Sequence, residues 1–335
     1  VSNSTDANDA RPHGTASHGT EPNGTEPNKP APNKPAPNKP APNKPAPQSV
    51  TPDLLREWGQ PQPGESKYDR GVVLIVGGAR RSPGAVALAG VAALRVGAGR
   101  LTLAAAESVA VGLAIAVPES GIVPLAETAE GSVRGDAGSA LGSDLESADV
   151  VLVGPGLDDL EAAAQLLDEI VSLVGDDTVV VLDAYALAAV HEDPSRVVSL
   201  AGRLIVTPNP TELALLADLD EELHGSDGDA VVRTARSVAE RLDATVATQN
   251  AVVGPDGTAW TIEAGNPGLG TSGSGDVLAG AVAGMVARGV DPARAAVWAT
   301  YLHAAAGDRL AVDAPVGFLA RELSDEFPSL LAGLQ

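Results

Sequence analysis

The stretch Gly265-Asn-Pro-Gly-Leu-Gly-Thr-Ser-Gly-Ser-Gly-Asp-Val-Leu-Ala-Gly280 holds six glycines in sixteen residues, immediately ahead of a long apolar helical pattern. Gly268, Gly270, Gly273 and Gly275 permit positive φ and a close approach of backbone to a ligand. Asp276 falls in the first turn of the helix that follows. A helix N-terminus leaves backbone N–H groups unpaired and carries about half a positive charge, which suits an anion such as phosphate. Glycine content alone fits equally a flexible loop in which Asp276 is no more than a helix cap.

The segments around this loop fix where it can sit. Residues 71–77 read as a buried strand ending in Gly77-Gly78, 85–96 as a helix of small residues, and 100–105 as a second strand behind Gly97-Ala98-Gly99. Strand, glycine turn, helix and strand in that order signal a parallel βαβ unit. The alternation continues through strands at 149–154, 178–183 and 203–207, helices at 159–174 and 229–242, and a leucine-rich helix after Asn209 and Glu212. Further strands are expected at 244–248, 251–253 and 258–263, the last two around a Pro255-Asp256-Gly257 turn. Helices are expected at 51–58, 277–288, 292–311 and from about Val316. Gly77, Gly78, the Gly154-Pro155-Gly156 turn, Asp183, Asn209 and Glu212 all follow strands. Ligands of a doubly wound sheet bind at the carboxyl edge of its strands, so these positions and the 265–276 loop should meet in one crevice.

Bulk composition narrows the partners. The net charge is −22, and lysine occurs only at Lys29, Lys34, Lys39, Lys44 and Lys67. Such a surface repels nucleic acid and anionic membranes. The acidic, lysine-poor, Ala/Val/Gly-rich chain resembles proteins of salt-loving organisms. With no cysteine there is neither a disulfide nor a thiolate site, and the five histidines lack metal-ligand spacing, so no protein-built metal centre is expected. No apolar run reaches membrane-span length and no signal core opens the chain, which reads as cytoplasmic. Residues 1–50, with four tandem Asn-Lys-Pro-Ala-Pro copies at 28–47, are expected to be a disordered, semi-extended tail. Residues 51–335 are expected to form the folded domain.

The ordered motifs resemble the NAD(P)H-hydrate dehydratases, repair enzymes of the ribokinase-like superfamily, over about residues 66–331. They are Pro83-Gly84-Ala85, Gly97-Ala98-Gly99, Pro118-Glu119, Gly154-Pro155-Gly156-Leu157, Leu182-Asp183-Ala184, and Thr207-Pro208-Asn209 with Glu212. The series ends with Gly265-Asn266-Pro267-Gly268, Gly273-Ser274-Gly275-Asp276-Val277-Leu278-Ala279-Gly280, and Leu302-His303 with Ala306-Gly307-Asp308. The resemblance implies an α/β fold, a three-layer α/β/α sandwich with a mostly parallel central sheet. It also implies an activity: hydrated NADH or NADPH, as the S-epimer, loses water at the expense of ADP, which becomes AMP and phosphate. The hydrate's hydroxyl would attack the terminal phosphoryl group, and the phosphate ester would then eliminate.

Residue by residue, the resemblance makes Asp276 the catalytic base for the attacking hydroxyl. It places Ala85, Gly156, Asn209 and Asp276 against the hydrated cofactor. Gly273, Ser274, Gly275 and the segment Gln249, Asn250, Ala251, Val252 and Val253 would contact the nucleotide, with Mg2+ accompanying it. It further implies a homo-oligomer, a tetramer among the options, and an epimerase supplied by another chain. Three positions depart from the family pattern. Asn209 stands for a customary histidine and cannot titrate near neutrality. Gln249-Asn250 replaces a Lys-Gly, leaving Arg80 and Arg81 as candidates to supply the missing charge. Tyr185 replaces a second aspartate, and its ring is expected to pack against the sheet rather than stack on a ligand. Two other functions fit the same fold: a small-molecule kinase of the superfamily, which would accumulate a stable phosphate ester, and a nucleotide-binding homologue without turnover.

Overall fold

Short runs of Val, Leu, Ile and Ala, too brief for helices, build the centre of the protein. The computed structural model describes residues 45–62, 64–220, 223–224 and 227–335. Among these, one sheet contains β1 (Gln48–Ser49), β2 (Val72–Val76), β3 (Arg100–Ala106), β4 (Gly121–Leu125), β5 (Val150–Val153), β6 (Val179–Leu182), β7 (Leu204–Val206), β8 (Ala244–Ala247), β9 (Ala251–Val253) and β10 (Ala259–Thr261). The strands lie in the order β1-β10-β9-β8-β7-β6-β5-β2-β3-β4. Pairing is parallel throughout β2 to β8, and only the β8–β9 and β9–β10 steps are antiparallel. The order reverses between β2 and β5, which opens a crevice beyond their carboxyl ends.

The connecting segments form α1 (Pro52–Trp58), α2 (Gly84–Arg95), α3 (Ala110–Ala116), α4 (Gly142–Ser147), α5 (Leu160–Leu173), α6 (Tyr185–Glu192), α7 (Pro210–Leu216), α8 (Gly228–Leu242), α9 (Ser274–Ala287), α10 (Pro292–Ala311) and α11 (Ala320–Ala332). Successive strand residues point to opposite faces, and both faces are covered. Val73, Ile75, Leu152, Val181 and Ile205 join one core with α2, α9, α10 and α11. Leu74, Val76, Val151, Leu182 and Val206 join the other with α5, α6, α7 and α8. This is the expected three-layer sandwich. No helix among the described residues is long and apolar enough to cross a membrane.

Helix α9 is buried on every side from residue 277 to 287, which explains why its sequence lacks a polar face. It lies on α2 at a distance only small residues allow. A Cβ placed on Gly280 would lie 2.0 Å from the carbonyl oxygen of Ala89, and one on Gly284 would lie 2.6 Å from that of Ala93.

Several expectations need adjustment. The ordered fold starts before Thr51: Gln48 and Ser49 pair with Trp260 and Thr261, Val50 is buried, and Arg236 donates to the Pro45 carbonyl at 2.6 Å. The edge of β10 offers unpaired backbone groups, which a short extended segment satisfies whatever its composition. Residues 1–44 of the expected tail lie outside the described residues. The last helix begins at Ala320 rather than near Val316, because Gly317 turns the chain at φ 105° and Glu322 accepts from the Leu319 N–H at 2.6 Å. Strand β4 and helix α3 arise where hydrophobic periodicity is weak. Pro124 is tolerated in β4 because that strand is the sheet edge.

The α2–α9 contact yields a stability prediction. Gly280→Val forces a branched side chain into the backbone of α2 and should cost at least about 1–3 kcal/mol. Urea unfolding of the variant should show a lower midpoint, whereas Gly275→Ala, at a position facing open space, should not.

Candidate active site

Strand polarity brings the motifs together. Gly77-Gly78 follows β2, Gly154-Pro155-Gly156 follows β5, Asp183 follows β6 and Thr207-Pro208-Asn209 follows β7, all at one edge of parallel strands. Hydrogen bonds lace these ends together. Gly78 N–H donates to Pro155 O and Ala79 N–H to Gly156 O, both at 2.8 Å, and the Ser82 hydroxyl donates to Gly156 O at 2.8 Å. Strands β8 and β10 end at the same edge, because β8 is parallel to β7 and β10 is antiparallel to β9. The Thr248–Asn250 turn and the entrance to the 265–276 loop therefore face this crevice too, joined where Ile262 N–H donates to Asn250 O at 2.8 Å.

The glycine loop is an ordered structure rather than a flexible turn. Asp308 on α10 accepts from Gly265 N–H at 2.9 Å and from the Asn266 side chain at 3.2 Å, and Asn266 Oδ1 accepts from Gly268 N–H at 2.9 Å. Gly273 caps α9 at φ 90°, a conformation that a side chain would strain. Ser274 N–H donates to Thr271 O and Val277 N–H to Gly273 O, while the N–H groups of Gly275 and Asp276 between them have no partner among the described residues. Gly275 borders open space. Two donors at the positive end of a buried helix thus face solvent, in the arrangement that binds a phosphate.

The neighbouring carboxylates oppose one another. Asp276 is partly buried, which pushes its pKa up to about 6. Asp183 is 6% exposed, and its pKa is raised to about 7 by burial first and then by the negative charges of Glu212 and Asp276. Thr207 Oγ1 donates to Asp183 Oδ1 at 2.9 Å and restrains that rise. Burial also raises Glu212, whose Oε2 accepts from Asn209 N–H at 2.9 Å. Among the described residues no cluster of three His, Cys, Asp or Glu could enclose a metal unaided. Carboxylate oxygens beside a phosphate site instead match Mg2+, which takes one or two carboxylates together with nucleotide phosphates and water.

The remaining sequence candidates divide. Ala85 and Gly156 adjoin, since a Cβ on Gly156 would lie 3.0 Å from that of Ala85. Asn209 is exposed as the N-cap of α7, and its Oδ1 accepts from Glu212 N–H at 2.9 Å in a reciprocal capping box. That leaves its Nδ2 as the outward donor and gives a local reason for asparagine here, a stronger N-cap than histidine. Gln249 is exposed in the turn after β8. Ala251, Val252 and Val253, expected to contact a nucleotide, are β9 itself: their side chains are at most 1% exposed and their backbone is paired on both sides. Of that segment, Gln249 is exposed and Asn250 partly buried, both in the turn between β8 and β9.

Two departures resolve differently from expectation. Arg80 cannot replace the missing lysine, because it is bound to Glu127, Ser108 and the Ala129 carbonyl. Arg81 is exposed, without a partner among the described residues. Tyr185 starts α6 with 41% of its surface exposed, so its ring is not part of the buried core. Ala184 before it has φ 51° and ψ −124°, so the chain swings out of the sheet at a cost on the order of 1–3 kcal/mol. Thr207, His303 and Asp308 stand in the sequence only as parts of motifs; their bonds to Asp183, Ser274 and the glycine loop are set by the fold.

Comparison with known proteins agrees with this geometry. Residues 73–329 match the family described as NAD(P)H-hydrate dehydratase. The chain is 43% identical over 290 residues to the ADP-dependent (S)-NAD(P)H-hydrate dehydratase of Xanthomonas campestris pv. campestris, covering 84% of this chain and 96% of that one. The Bacillus subtilis ADP/ATP-dependent NAD(P)H-hydrate dehydratase co-crystallized with ATP/Mg2+ aligns with a TM-score of 0.68 at 26% identity, over 86% of this chain and 99% of that one. A ribokinase-like superfamily protein from Enterococcus faecalis gives a TM-score of 0.73 at 24% identity, over 86% and 96%, and shares the fold. With a glycine loop opening a buried helix, Asp276 in its first turn and a match running from β2 into α11, the chain belongs to the NAD(P)H-hydrate dehydratase family.

Proposed function

We propose that this protein is an ADP-dependent (S)-NAD(P)H-hydrate dehydratase. The observation that carries the reading is Asp276, held in the first turn of α9 beside the open N–H groups of Gly275 and Asp276. Terminal phosphoryl oxygens of ADP would lie on these donors, with Gly273 and Ser274 forming the approach and Gln249 and Asn250 bordering the nucleotide. The hydrated nicotinamide would sit between Ala85, Gly156 and the Asn209 carboxamide. Its hydroxyl oxygen would attack the phosphorus, the O–P bond to ADP's bridging oxygen would break, and AMP would leave. Asp276 would take the hydroxyl proton during the attack.

The resulting ester then needs no strong acid. Phosphate leaves with the C–O electron pair, the ring nitrogen donates electrons toward that carbon, and loss of a proton from the adjacent carbon restores the double bond. Donors fixed before the reaction stabilise the transferred charge without reorganising, a contribution of about 3–4 kcal/mol per well-placed group. Glu212 is the carboxylate that would hold Mg2+ alongside the phosphates: its Oε2 serves the α7 cap, and its Oε1 has no hydrogen-bond partner among the described residues. When bound, Mg2+ offsets negative charge in a crevice where the charges of Glu212 and Asp276 already act against that of Asp183.

Purified protein with hydrated NADH, ADP and magnesium should regain the absorbance of reduced nicotinamide. Accumulation of a phosphate ester would mark a kinase instead, and nucleotide binding without turnover would mark a non-catalytic homologue. Asp276→Asn should lower kcat by about 10²–10⁴-fold while leaving the fold intact. Because Asp276 must be deprotonated to act and its pKa is about 6, kcat/KM of the native enzyme should rise through pH 6 and level off above it. Asp183 yields a stability prediction. Its folded pKa, about 7, lies above the unfolded value, so the folded state binds the proton more tightly. That contribution is complete below about pH 4 and lost as pH rises through 7. Asp183→Asn, which keeps the oxygen that accepts from Thr207, should therefore gain stability over the native protein between pH 5 and pH 8, on the order of 1–4 kcal/mol by urea unfolding at both pH values.

A further inference from the structure

His303 has no part in the chemistry above, yet it is the buried polar side chain nearest the start of α9 in bonding terms. It lies on α10 with 3% of its surface exposed, and its Nε2 is 2.9 Å from Ser274 Oγ and 3.1 Å from the Ser274 carbonyl oxygen. Its Nδ1 is buried with no hydrogen-bond partner among the described residues. Ser274 is itself 6% exposed and is the first residue of α9.

These contacts fix the tautomer. A carbonyl oxygen only accepts, so the hydrogen belongs on Nε2, and the nitrogen left unpaired in the core is a bare acceptor rather than a stranded N–H donor. Burial lowers the imidazole pKa to about 4, so the ring is neutral where the enzyme works. An Nε2–H facing both Ser274 oxygens leaves the serine hydroxyl hydrogen without an acceptor on the histidine side. That hydrogen is then free to turn away from His303.

We propose that His303 is a positioning residue: it clamps Ser274 and thereby sets the direction of the Gly275 and Asp276 N–H groups, and it leaves the Ser274 hydroxyl as a donor toward the bound phosphate. The proposal rests on the assignment of this helix start to ADP. Asp308, four residues before Val312 on the same helix, holds the other end of the glycine loop through Gly265 and Asn266, so α10 fixes the loop at both ends. His303 differs from Asp308 in bonding Ser274, the residue directly before those donors, rather than the entrance.

The test compares His303→Leu, His303→Gln and Leu302→Ala. Leu302 is fully buried on the same helix and does not bond the loop. A displacement of reacting groups by about 1 Å can cost up to about 10²-fold. His303→Leu should weaken ADP binding, read by calorimetry, and lower kcat, each about tenfold or more, with KM for the hydrate unchanged. His303→Gln, which restores an N–H donor, should recover most of both with the native pH profile. Leu302→Ala should lower the melting temperature at least as much as His303→Leu yet keep ADP affinity and kcat at temperatures where each variant is folded. The proposal fails if His303→Leu binds ADP and turns over like the native protein, if His303→Gln is as impaired as His303→Leu, or if Leu302→Ala reproduces the loss. Absence of ADP binding by the native protein would instead overturn the functional reading beneath it.

Discussion

Everything at the candidate site depends on how closely α9 can approach α2. Gly280 and Gly284 let the backbones of the two helices meet, and any larger residue at Gly280 would collide with the Ala89 carbonyl. That approach sinks α9 into the molecule until its whole length from residue 277 is buried. Its N-terminus is then the part left facing the crevice. A helix end surrounded by low-dielectric protein attracts anions more strongly than one in water, because less solvent screens its unpaired N–H groups. The same burial desolvates Asp276 and raises its pKa toward the range where a carboxylate can accept a proton during a reaction. One packing constraint thus produces both an anion cradle and a base.

The crevice is expensive to build. Asp183, Glu212 and Asp276 share it, and their repulsion contributes to the raised pKa of Asp183. Ala184 adopts a backbone conformation that its Cβ disfavours. The rest of the fold offsets these costs: two cores cover both faces of the sheet, and the hydrogen bonds from Gly78, Ala79 and Ser82 hold the strand ends in register. Crowded carboxylates favour ligands that bring cations, which is how a nucleotide with Mg2+ and an acidic protein become compatible.

The family departures take on different weight in three dimensions. Asn209 follows from its role as an N-cap, since its oxygen serves α7 and its amide nitrogen stays available. Tyr185 follows from the outward swing at Ala184 and presents a ring to solvent. Gln249 keeps its exposed place in the turn after β8 without a charge, and Arg80, the first candidate to replace that charge, is committed to Glu127. Arg81 is the exposed arginine left on that loop.

Periodicity and punctuation in the sequence determined the alternation of strands and helices, the parallel sheet, the crevice at its carboxyl edge and the position of Asp276 in a first helical turn. These are local properties, set by side-chain spacing and by glycine and proline, and they survive without knowledge of neighbours. Weakly periodic segments such as β4 and α3 were not legible, and neither was β1, because their conformation comes from a sheet edge supplied by distant residues. Only the tertiary structure decided that the side chains of Ala251, Val252 and Val253 are buried in a paired strand, that Arg80 is bound to Glu127, and that His303 meets Ser274 across 29 positions of chain. Burial, partner choice and the pKa shifts that follow are sums over groups far apart in sequence, so no local pattern encodes them.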